Sequence, residues 1–294
     1  MSHALNWERE GLIWPHRDTS EFVRAGGAQW HVQTMGSGPP VLLLHGTGAS
    51  CHSWRGVMPS LAESHTVIAP DLPRHAFTTG HPPEAMALPT MARAVGRLLD
   101  ELDVMPAMIV GHSAGAALAL QLALTRQLDV PLIGLNAALR PFPGLAAQLF
   151  PAFAKMLFVN PLVPRLFSKS VSRREDAERF LARATQSKID QVGLDCYAAL
   201  LANSRHTKGA LAMMANWDLP ALQSRLSAIQ NPVLLVHSAR DNAVPISAAR
   251  EAAEALPNAQ LEELPQLGHL AHEEDPENAA RLIAAFASLY AMRA

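Results

Sequence analysis

Short, unbroken apolar runs that alternate with longer helical segments are the feature that most constrains how this chain folds. The runs are VLLLHG (41–46), TVIAPD (66–71), AMIVGHS (107–113), PLIGLNA (131–137) and PVLLVHS (232–238). Strands without polar alternation are buried on both faces, as in a parallel sheet covered by helices. Helical spacing is found at 53–63, 89–102, 114–126, 246–256 and 276–290. The pattern predicts an α/β fold with a mostly parallel central sheet and helices on both faces.

Two departures from this alternation define the predicted organisation. Gly26-Gly27 separates β-rich stretches at 20–25 and 28–35, which predicts an antiparallel hairpin at the start. The interval 140–216 contains no buried strand, yet it is rich in Leu, Ala, Phe and Met at helical spacing. Because a structureless loop of that length is improbable in a compact domain, we predict a helical cap inserted after the sixth strand. The predicted units are a core at 1–139 and 217–294 and a cap at 140–216.

Composition excludes several classes of protein. Lys and Arg number 24 against 26 Asp and Glu, a formal net charge of −2, which gives no electrostatic attraction to nucleic acid. Cys51 and Cys196 form no Cys-x-x-Cys pair, so they predict neither a metal site nor a redox motif. Glu8, Arg9 and Glu10 stand where a signal peptide needs an apolar core, and no uncharged apolar run reaches about 20 residues. We expect a cytoplasmic protein without a transmembrane segment.

The segment Gly111-His112-Ser113-Ala114-Gly115 carries the central chemical signal. It follows the apolar run AMIV and precedes the helical run AALALQLAL. Gly-x-Ser-x-Gly between a strand and a helix is typical of a nucleophile elbow, a sharp turn that exposes the serine Oγ. The flanking glycines are required because a Cβ there would collide with the neighbouring elements. Ser113 is the predicted nucleophile, and a glycine-rich turn capped by Ser113 is the alternative.

A serine hydroxyl is a poor nucleophile unless a base accepts its proton and a carboxylate orients that base. In a fold of this kind the acid follows the nucleophile in the chain and usually ends a late strand. Asp241 lies in the loop after the run at 232–238. Asn136 ends the preceding strand, where an acid is also known, but an amide cannot carry the negative charge. Asp241 is therefore the predicted acid.

The predicted base is His269, which follows the last predicted strand and the turn residue Gly268. His272 is the rival base. We favour His269 because His272 begins the charged run His-Glu-Glu-Asp-Pro, which leads into a helix. His237 lies within an apolar strand and is predicted to be a hydrogen-bonded core residue. The remaining histidines show no metal-ligand spacing.

Attack of Ser113 on a carbonyl creates an oxyanion that needs two N–H donors. One donor is the backbone N–H of Ala114, directly after the nucleophile. The other is expected in the small-residue loop His-Gly-Thr-Gly at 45–48, where the backbone can approach a ligand closely. Thr47 is the predicted second donor, with Gly48 as the alternative.

Several segments together resemble the α/β-hydrolase superfamily over nearly the whole chain: HGTGASCHSW, DLPRHAFT, GHSAGAA, SARDNAVP and LGHLAHEEDP. Others are similar to the magnesium-chelatase accessory proteins of purple bacteria: WEREGLIWPHRDTSEFVRAGGAQWHVQ, LNAALRPFPGLAAQLFPAFAKMLFVNPLVPRLF and MMANWDLPAL. This resemblance implies a role in bacteriochlorophyll biosynthesis, near insertion of magnesium into protoporphyrin IX, with magnesium chelatase subunits as partners. Relatives commonly have glycine where this chain has Arg74 and Ala76, so we expect a different or stiffer backbone in that loop.

The inserted segment should lie beyond the carboxyl ends of the parallel strands, where ligands bind, and form a lid over Ser113. Its many apolar side chains predict a pocket for a hydrophobic acyl or macrocyclic substrate such as a porphyrin intermediate. Contact of the stretch 145–167 with a membrane surface is an alternative, although its only charged residues are Lys155 and Arg165. The predicted pocket residues are His45, His112, Phe153, Leu157, Met213, Met214 and Trp217.

The function that these residues favour is a serine hydrolase acting on an ester or related acyl bond of a hydrophobic substrate. A C–C bond hydrolase uses the same residues, so the sequence does not separate it from an esterase. A non-catalytic factor that binds or delivers a porphyrin for magnesium chelatase is the alternative from another class of function. No organic cofactor or metal is predicted, because the triad requires none.

Overall fold

An eight-stranded sheet forms the centre of the computed structural model, which describes residues 4–81, 86–140, 160, 162–171 and 173–291. The strands are β1 (Ser20–Ala25), β2 (Ala28–Met35), β3 (Pro40–Leu44), β4 (Thr66–Pro70), β5 (Met108–His112), β6 (Leu132–Leu135), β7 (Val233–Ser238) and β8 (Ala259–Leu264). They lie in the order β1-β2-β4-β3-β5-β6-β7-β8. The β1/β2 and β2/β4 pairs are antiparallel and the other pairs are parallel. The predicted N-terminal hairpin and mostly parallel sheet are confirmed.

Helices cover both faces of the sheet. In chain order they are α1 (Met58–Ala62), α2 (Leu88–Glu101), α3 (Ala114–Arg126), α4 (Val163–Ser170), α5 (Arg174–Thr185), α6 (Gln191–Leu201), α7 (Ser204–Asn216), α8 (Leu219–Gln223), α9 (Ile246–Ala255), α10 (Ala271–Glu274) and α11 (Pro276–Ala291). Leu42 and Leu44 of β3 pack into the core layer of α2, α3 and α9. Val41 and Leu43 pack into the opposite layer, which contains side chains of α1 and α11. This alternation follows from the two-residue period of a strand.

One predicted helix divides in two. The segment 53–63 is expected as a single helix, but the structure has a 3₁₀ turn at Cys51–Trp54 and a separate short helix, α1. Pro59 lies in the first turn of α1. A proline further inside a helix would clash with the carbonyl group four residues earlier, so the helix cannot extend back through Arg55.

Helices α4 to α7 lie between β6 and β7 in the chain, where the sequence predicts an inserted helical segment. The boundaries of a separate cap at 140–216 stay a prediction. Residues 141–159, which include the predicted pocket residues Phe153 and Leu157, lie outside the described part of the chain. Among the described helices, none is both long enough and apolar enough to cross a bilayer.

Candidate active site

Ser113 occupies a sharp turn between β5 and α3, with φ +51° and ψ −116°. Positive φ is uncommon for a residue with a side chain and indicates local strain. The surrounding backbone leaves no room for side chains at either flanking glycine. A Cβ on Gly111 would lie 2.3 Å from the Gly115 carbonyl carbon, and one on Gly115 would lie 2.0 Å from the Leu44 oxygen. The local backbone therefore has the form of a nucleophile elbow.

Asp241 and His269 form a buried pair at the carboxyl edge of the same sheet. Asp241 follows β7 and His269 follows β8. The His269 Nδ1 and Asp241 Oδ2 atoms are 2.7 Å apart, and the carboxylate side chain is fully buried. Because a carboxylate oxygen only accepts, the Nδ1 atom carries a proton, and a neutral ring in this tautomer has on Nε2 the lone pair that a base requires.

The Asp241 carboxylate receives hydrogen bonds from several groups besides His269. The Ala243 and Val244 N–H groups donate to Oδ1 at 2.7 and 2.9 Å, and Asn136 Nδ2 donates to Oδ2 at 2.8 Å. Burial alone would raise the pKa of Asp241, but the hydrogen bond and charge interaction with His269, together with Val244 and Asn136, hold it below its usual value. Asn136, considered in the sequence only as an unsuitable acid, thus helps to keep Asp241 ionised.

The loop that carries His269 is linked to the elbow through His112. His112 Nε2 donates to the His269 carbonyl oxygen at 2.9 Å, and the two ring centroids are 4.8 Å apart. Burial lowers the pKa of His112 to about 3, so its ring is neutral. Among the described residues, no hydrogen bond joins the Ser113 hydroxyl to His269. Such bonds are often long without substrate and shorten in the reactive complex.

His272, the rival base, and His237, the predicted core histidine, have different surroundings from His269. His272 is buried against His112 and Trp54, with ring centroids at 4.3 and 4.7 Å, and neither of its ring nitrogens has a partner among the described residues. Of the two candidate bases, His269 is therefore the one that bonds to Asp241. His237 Nε2 donates to the Val244 carbonyl oxygen at 3.0 Å, which is the expected environment of a core histidine.

The predicted oxyanion donors lie close to the elbow, since a Cβ on Gly46, next to Thr47, would lie 3.2 Å from the Ser113 Cβ. Thr47 is half-buried in the loop after β3, and Ala114 is the first residue of α3. Within the described residues, neither the Thr47 N–H nor the Ala114 N–H has an intramolecular acceptor. Gly48, the alternative donor, has φ +77°, a conformation that favours glycine. Neither favoured N–H group thus has an acceptor in the described part of the chain that would compete with an external oxygen.

The predicted pocket residues fall into three groups. The rings of His45 and His112 are buried and hydrogen-bonded to backbone, His45 accepting from the Leu72 N–H at 2.9 Å. Met213 is fully buried, and its sulfur accepts a hydrogen bond from the Thr47 hydroxyl at 3.4 Å. Met214 and Trp217 are half-buried. Met213 is therefore in direct contact with the predicted oxyanion donor Thr47.

The loop at 72–77 contains two residues with side chains and positive φ. Arg74 has a φ of 63° and Ala76 a φ of 39°. The expected difference or stiffness of this loop relative to other family members stays a prediction. The Ala76 N–H donates to His206 Nδ1 at 3.0 Å, and the Arg74 side chain donates to the His81 carbonyl oxygen at 2.8 Å. These two contacts, one to a residue nearby in the chain and one to α7, stabilise a conformation that the residues themselves disfavour.

The end of α5 and the segment that follows it bind the loop that carries His269. The His269 N–H donates to the Thr185 carbonyl oxygen at 2.8 Å, and the Leu270 N–H donates to Ser187 Oγ at 2.9 Å. A Cβ on Gly268 would lie 2.4 Å from the same Ser187 oxygen. Part of the predicted cap is therefore packed directly against the acid–base loop.

A partly buried ionic cluster lies beside this contact: Arg55, Glu273 and Tyr197 are buried, and Asp190 is exposed. Arg55 bonds to Glu273 of α10 and donates to Asp190 Oδ1, at the start of α6, at 2.8 Å. Tyr197 donates its hydroxyl hydrogen to Glu273 Oε1 at 2.8 Å. Burial raises the pKa of Glu273, although the Arg55 charge opposes that effect. No motif in the sequence predicts this cluster, which connects three distant segments.

The structure also brings together three side chains for which the sequence predicts no site. His31 Nδ1 is 2.8 Å from Asp71 Oδ2, and the Cys51 sulfur is 3.7 Å from the same nitrogen. Their donor atoms all lie within 4.8 Å of one another, a spacing that suits a metal ion. The carboxylate oxygens, however, already accept from the N–H groups of Cys51 and Phe77 as well as from His31. Hydrogen bonding alone therefore accounts for the arrangement.

Known proteins resemble the chain in both sequence and fold. The family model of the α/β hydrolase fold matches residues 39–276. The chain is 40% identical over 265 residues to the magnesium-chelatase 30 kDa subunit of Rhodobacter capsulatus, covering 88% of this chain and 91% of that protein. It is 33% identical over 254 residues to a pimeloyl-[acyl-carrier protein] methyl ester esterase of Chromobacterium violaceum, covering 83% and 93%. The solved structure of an epoxide hydrolase aligns with a TM-score of 0.78 and 25% identity, covering 92% and 99%.

Proposed function

The chain belongs to the α/β-hydrolase fold family, and from this premise we propose that it is a serine hydrolase acting on an ester or related acyl bond of a hydrophobic substrate. The observation that carries the proposal is the buried Asp241–His269 contact at 2.7 Å, on the same sheet edge as the strained Ser113 turn. A carboxylate, an imidazole and a serine at a sharp turn on one edge are the groups that acyl transfer requires.

In the proposed reaction, His269 Nε2 removes the Ser113 hydroxyl proton as the oxygen attacks the substrate carbonyl carbon. The N–H groups of Thr47 and Ala114 bind the resulting oxyanion. The proton then passes from His269 to the leaving alcohol, and the serine ester that remains is cleaved by water through the same base. Asp241 stays ionised throughout and stabilises the imidazolium ion. A C–C bond hydrolase would use the same residues with a carbon leaving group.

Labelling with a fluorophosphonate tests the nucleophile directly. The wild-type protein should be labelled at Ser113, and Ser113→Ala should not be labelled, because only an activated serine reacts at a useful rate. His269→Gln should lose labelling as well. His272→Gln is the matched control, since this histidine does not contact Asp241, and it should keep wild-type labelling. Failure of the folded wild-type protein to react would reject the proposed hydrolase.

The relative that is a magnesium-chelatase subunit favours a second candidate function. Its 40% identity over most of both chains supports a role beside magnesium chelatase in bacteriochlorophyll synthesis, with chelatase subunits as partners. In that case the protein binds or delivers a porphyrin intermediate without using Ser113. A role in this pathway is also consistent with the hydrolase proposal, in which the substrate would be a hydrophobic ester of the pathway.

A pigment-intermediate profile separates the two candidates. A strain that carries Ser113→Ala should accumulate an intermediate if hydrolysis is the physiological role. Normal pigment in that strain, together with a shift of the protoporphyrin absorption spectrum on addition of the purified protein, would instead support the binding factor. Immunoblotting of the strain should establish that the variant protein is present at its normal level.

A further inference from the structure

His206, on helix α7, contacts two core loops at once. Its Nδ1 atom accepts a hydrogen bond from the Ala76 N–H at 3.0 Å. Its Nε2 atom is 3.0 Å from the Gly48 carbonyl oxygen, in the loop that contains the predicted oxyanion donor Thr47. The side chain is buried, with 2% of the residue exposed. One imidazole thus connects the oxyanion loop to the strained loop at 72–77.

The partners of His206 allow only one form of its ring. The Ala76 N–H can only donate, so Nδ1 must carry the lone pair. The Gly48 oxygen can only accept, so Nε2 must carry the proton. Burial lowers the pKa of His206 to about 4, which keeps this neutral form populated at physiological pH. The ring therefore has a fixed orientation and a fixed donor directed at the oxyanion loop.

The oxyanion loop receives a second contact from the same helix. The Thr47 hydroxyl donates to the Met213 sulfur at 3.4 Å. On its other side Gly48 is open, because no heavy atom lies within 4 Å of the position of a Cβ. The backbone at Thr47 and Gly48 is thus held by α7 in addition to the turn bond from the Ala49 N–H to the Gly46 carbonyl oxygen at 3.2 Å.

Helix α7 is itself closely packed against the loop at 72–77. A Cβ on Gly209 would lie 2.3 Å from the Arg74 carbonyl oxygen, so the helix and the loop touch through their backbones. His206 bonds to the same loop one turn earlier in the helix. These contacts fix the position of α7 relative to the core, and so fix the position of the His206 ring that donates to the Gly48 carbonyl oxygen.

We propose that His206 is a positioning residue for the oxyanion hole, which it maintains by holding the Gly48 carbonyl so that the Thr47 N–H faces the reacting carbonyl. The proposal rests on the proposed hydrolase function. It assigns part of the predicted cap to transition-state stabilisation, because a helix inserted between β6 and β7 determines where a core donor lies. His206 does not touch the substrate.

Two amide substitutions separate the contacts of His206. The amide nitrogen of His206→Gln can take the place of Nε2 and keep the bond to Gly48. The amide oxygen of His206→Asn can take the place of Nδ1 and keep only the bond with Ala76. With p-nitrophenyl butyrate, we expect kcat to fall about 100-fold in His206→Asn and to stay within about threefold of wild type in His206→Gln, with similar KM values. Arg205→Gln, at an exposed position of the same helix, is the control and should behave like wild type.

Thermal unfolding and fluorophosphonate labelling complete the test. Both variants lose one hydrogen bond, so their melting temperatures should fall by similar amounts, and both should still be labelled at Ser113. Equal kcat values for the Asn and Gln variants, with labelling intact, would overturn the role of His206 and leave the hydrolase proposal standing. A folded wild-type protein that neither hydrolyses the ester nor reacts with the label would reject the hydrolase function and this role together.

Discussion

Two buried histidine–aspartate pairs in this molecule share a geometry and differ in their surroundings. The Nδ1 to Oδ2 distance is 2.7 Å for His269 and Asp241 and 2.8 Å for His31 and Asp71. Both carboxylates have no exposed side-chain surface, and both accept additional hydrogen bonds from backbone N–H groups. Burial would raise the pKa of each carboxyl, but its histidine and hydrogen bonds hold it below its usual value.

The difference lies on the far side of each imidazole. His31 is enclosed by Trp7, Phe22 and Phe77, with ring centroids 4.7 to 5.3 Å away, and its Nε2 has no partner among the described residues. His269 retains some exposure, 9% of its side chain, and its loop bonds to the residue before Ser113. A histidine–aspartate pair thus becomes a candidate catalytic element only where a hydroxyl group and a substrate can reach the second nitrogen.

Asp241→Asn should cause the largest change. The Ala243 and Val244 N–H groups will retain the amide oxygen, so the amide nitrogen will face His269 and force its proton onto Nε2. A base in that form cannot accept the Ser113 proton, and kcat for an ester should fall about 10⁴-fold. Steady-state kinetics on folded protein measures the effect. Activity within a few-fold of wild type would mean that the pair is structural, like the enclosed one.

Asp71→Asn should have the opposite signature, a loss of stability with little change in kcat per folded molecule. An amide NH₂ group in place of one carboxylate oxygen must face the N–H of either His31, Cys51 or Phe77. We expect the free energy of unfolding to decrease by about 3 kcal/mol.

Urea unfolding followed by circular dichroism measures this loss, and the ester assay is run at a temperature where the variant is folded. A large decrease in kcat without loss of stability would show that the two pairs are coupled. Addition of Zn²⁺ to the wild-type protein provides a second check, because a rise in melting temperature would indicate that His31, Cys51 and Asp71 do bind metal.

Mild acid should act on buried histidines outside the two pairs before it acts on either pair. Burial lowers the pKa of His206 to about 4 and that of His112 to about 3, whereas an unfolded histidine titrates near 6.5. Between these values the unfolded chain binds more protons, so the free energy of unfolding should decrease as the pH falls from about 6.5 to 4. The pKa values of Asp71 and Asp241 are lowered in the folded protein. Protonation of these carboxylates should therefore reduce stability only at a pH below this range.

His206→Gln removes one of these titrating groups. Its free energy of unfolding should change less steeply with pH, by about 1.4 kcal/mol per pH unit within the window. Urea titrations at several pH values between 4.5 and 7.5 measure the slope. An unchanged slope would mean that His206 is already protonated in the folded protein or remains neutral in the unfolded chain.

The smallest effect is expected at Cys51, the thiol next to the His31–Asp71 pair. Burial and the nearby Asp71 carboxylate raise the pKa of the Cys51 thiol, so it should not react with iodoacetamide in the native protein at pH 8. Burial also raises the pKa of Cys196 to about 12. Mass spectrometry should find both cysteines alkylated only after unfolding. Rapid native labelling of Cys51 would contradict the closed surroundings assigned to His31.

Local patterns in the sequence were sufficient to predict the sheet and the order of the candidate triad. Unbroken apolar runs predict strands such as β7 to within one residue, since burial on both faces leaves a direct mark on composition. The spacing of Asp241 and His269 also predicts their meeting, because both follow parallel strands whose carboxyl ends share one edge.

Long-range contacts were not predictable in this way. The bonds from His206 span 130 and 158 residues, and the bond from Asn136 to Asp241 spans 105. No periodicity records such pairs, and each depends on the final packing of several elements. Ala76 illustrates the same limit, because its positive φ follows from tertiary contacts that outweigh the preference of the residue.

The approach of Gly115 to the Leu44 carbonyl has a consequence for mutational libraries. A methyl group at position 115 would collide with the backbone at Leu44, just before the oxyanion loop. The collision would displace both Ser113 and the N–H donor of that loop. Selection for altered substrate preference should therefore retain this glycine and collect its beneficial changes in the helices between β6 and β7. A library should therefore randomise residues of these helices and leave unchanged a position such as Gly209, whose backbone touches another segment.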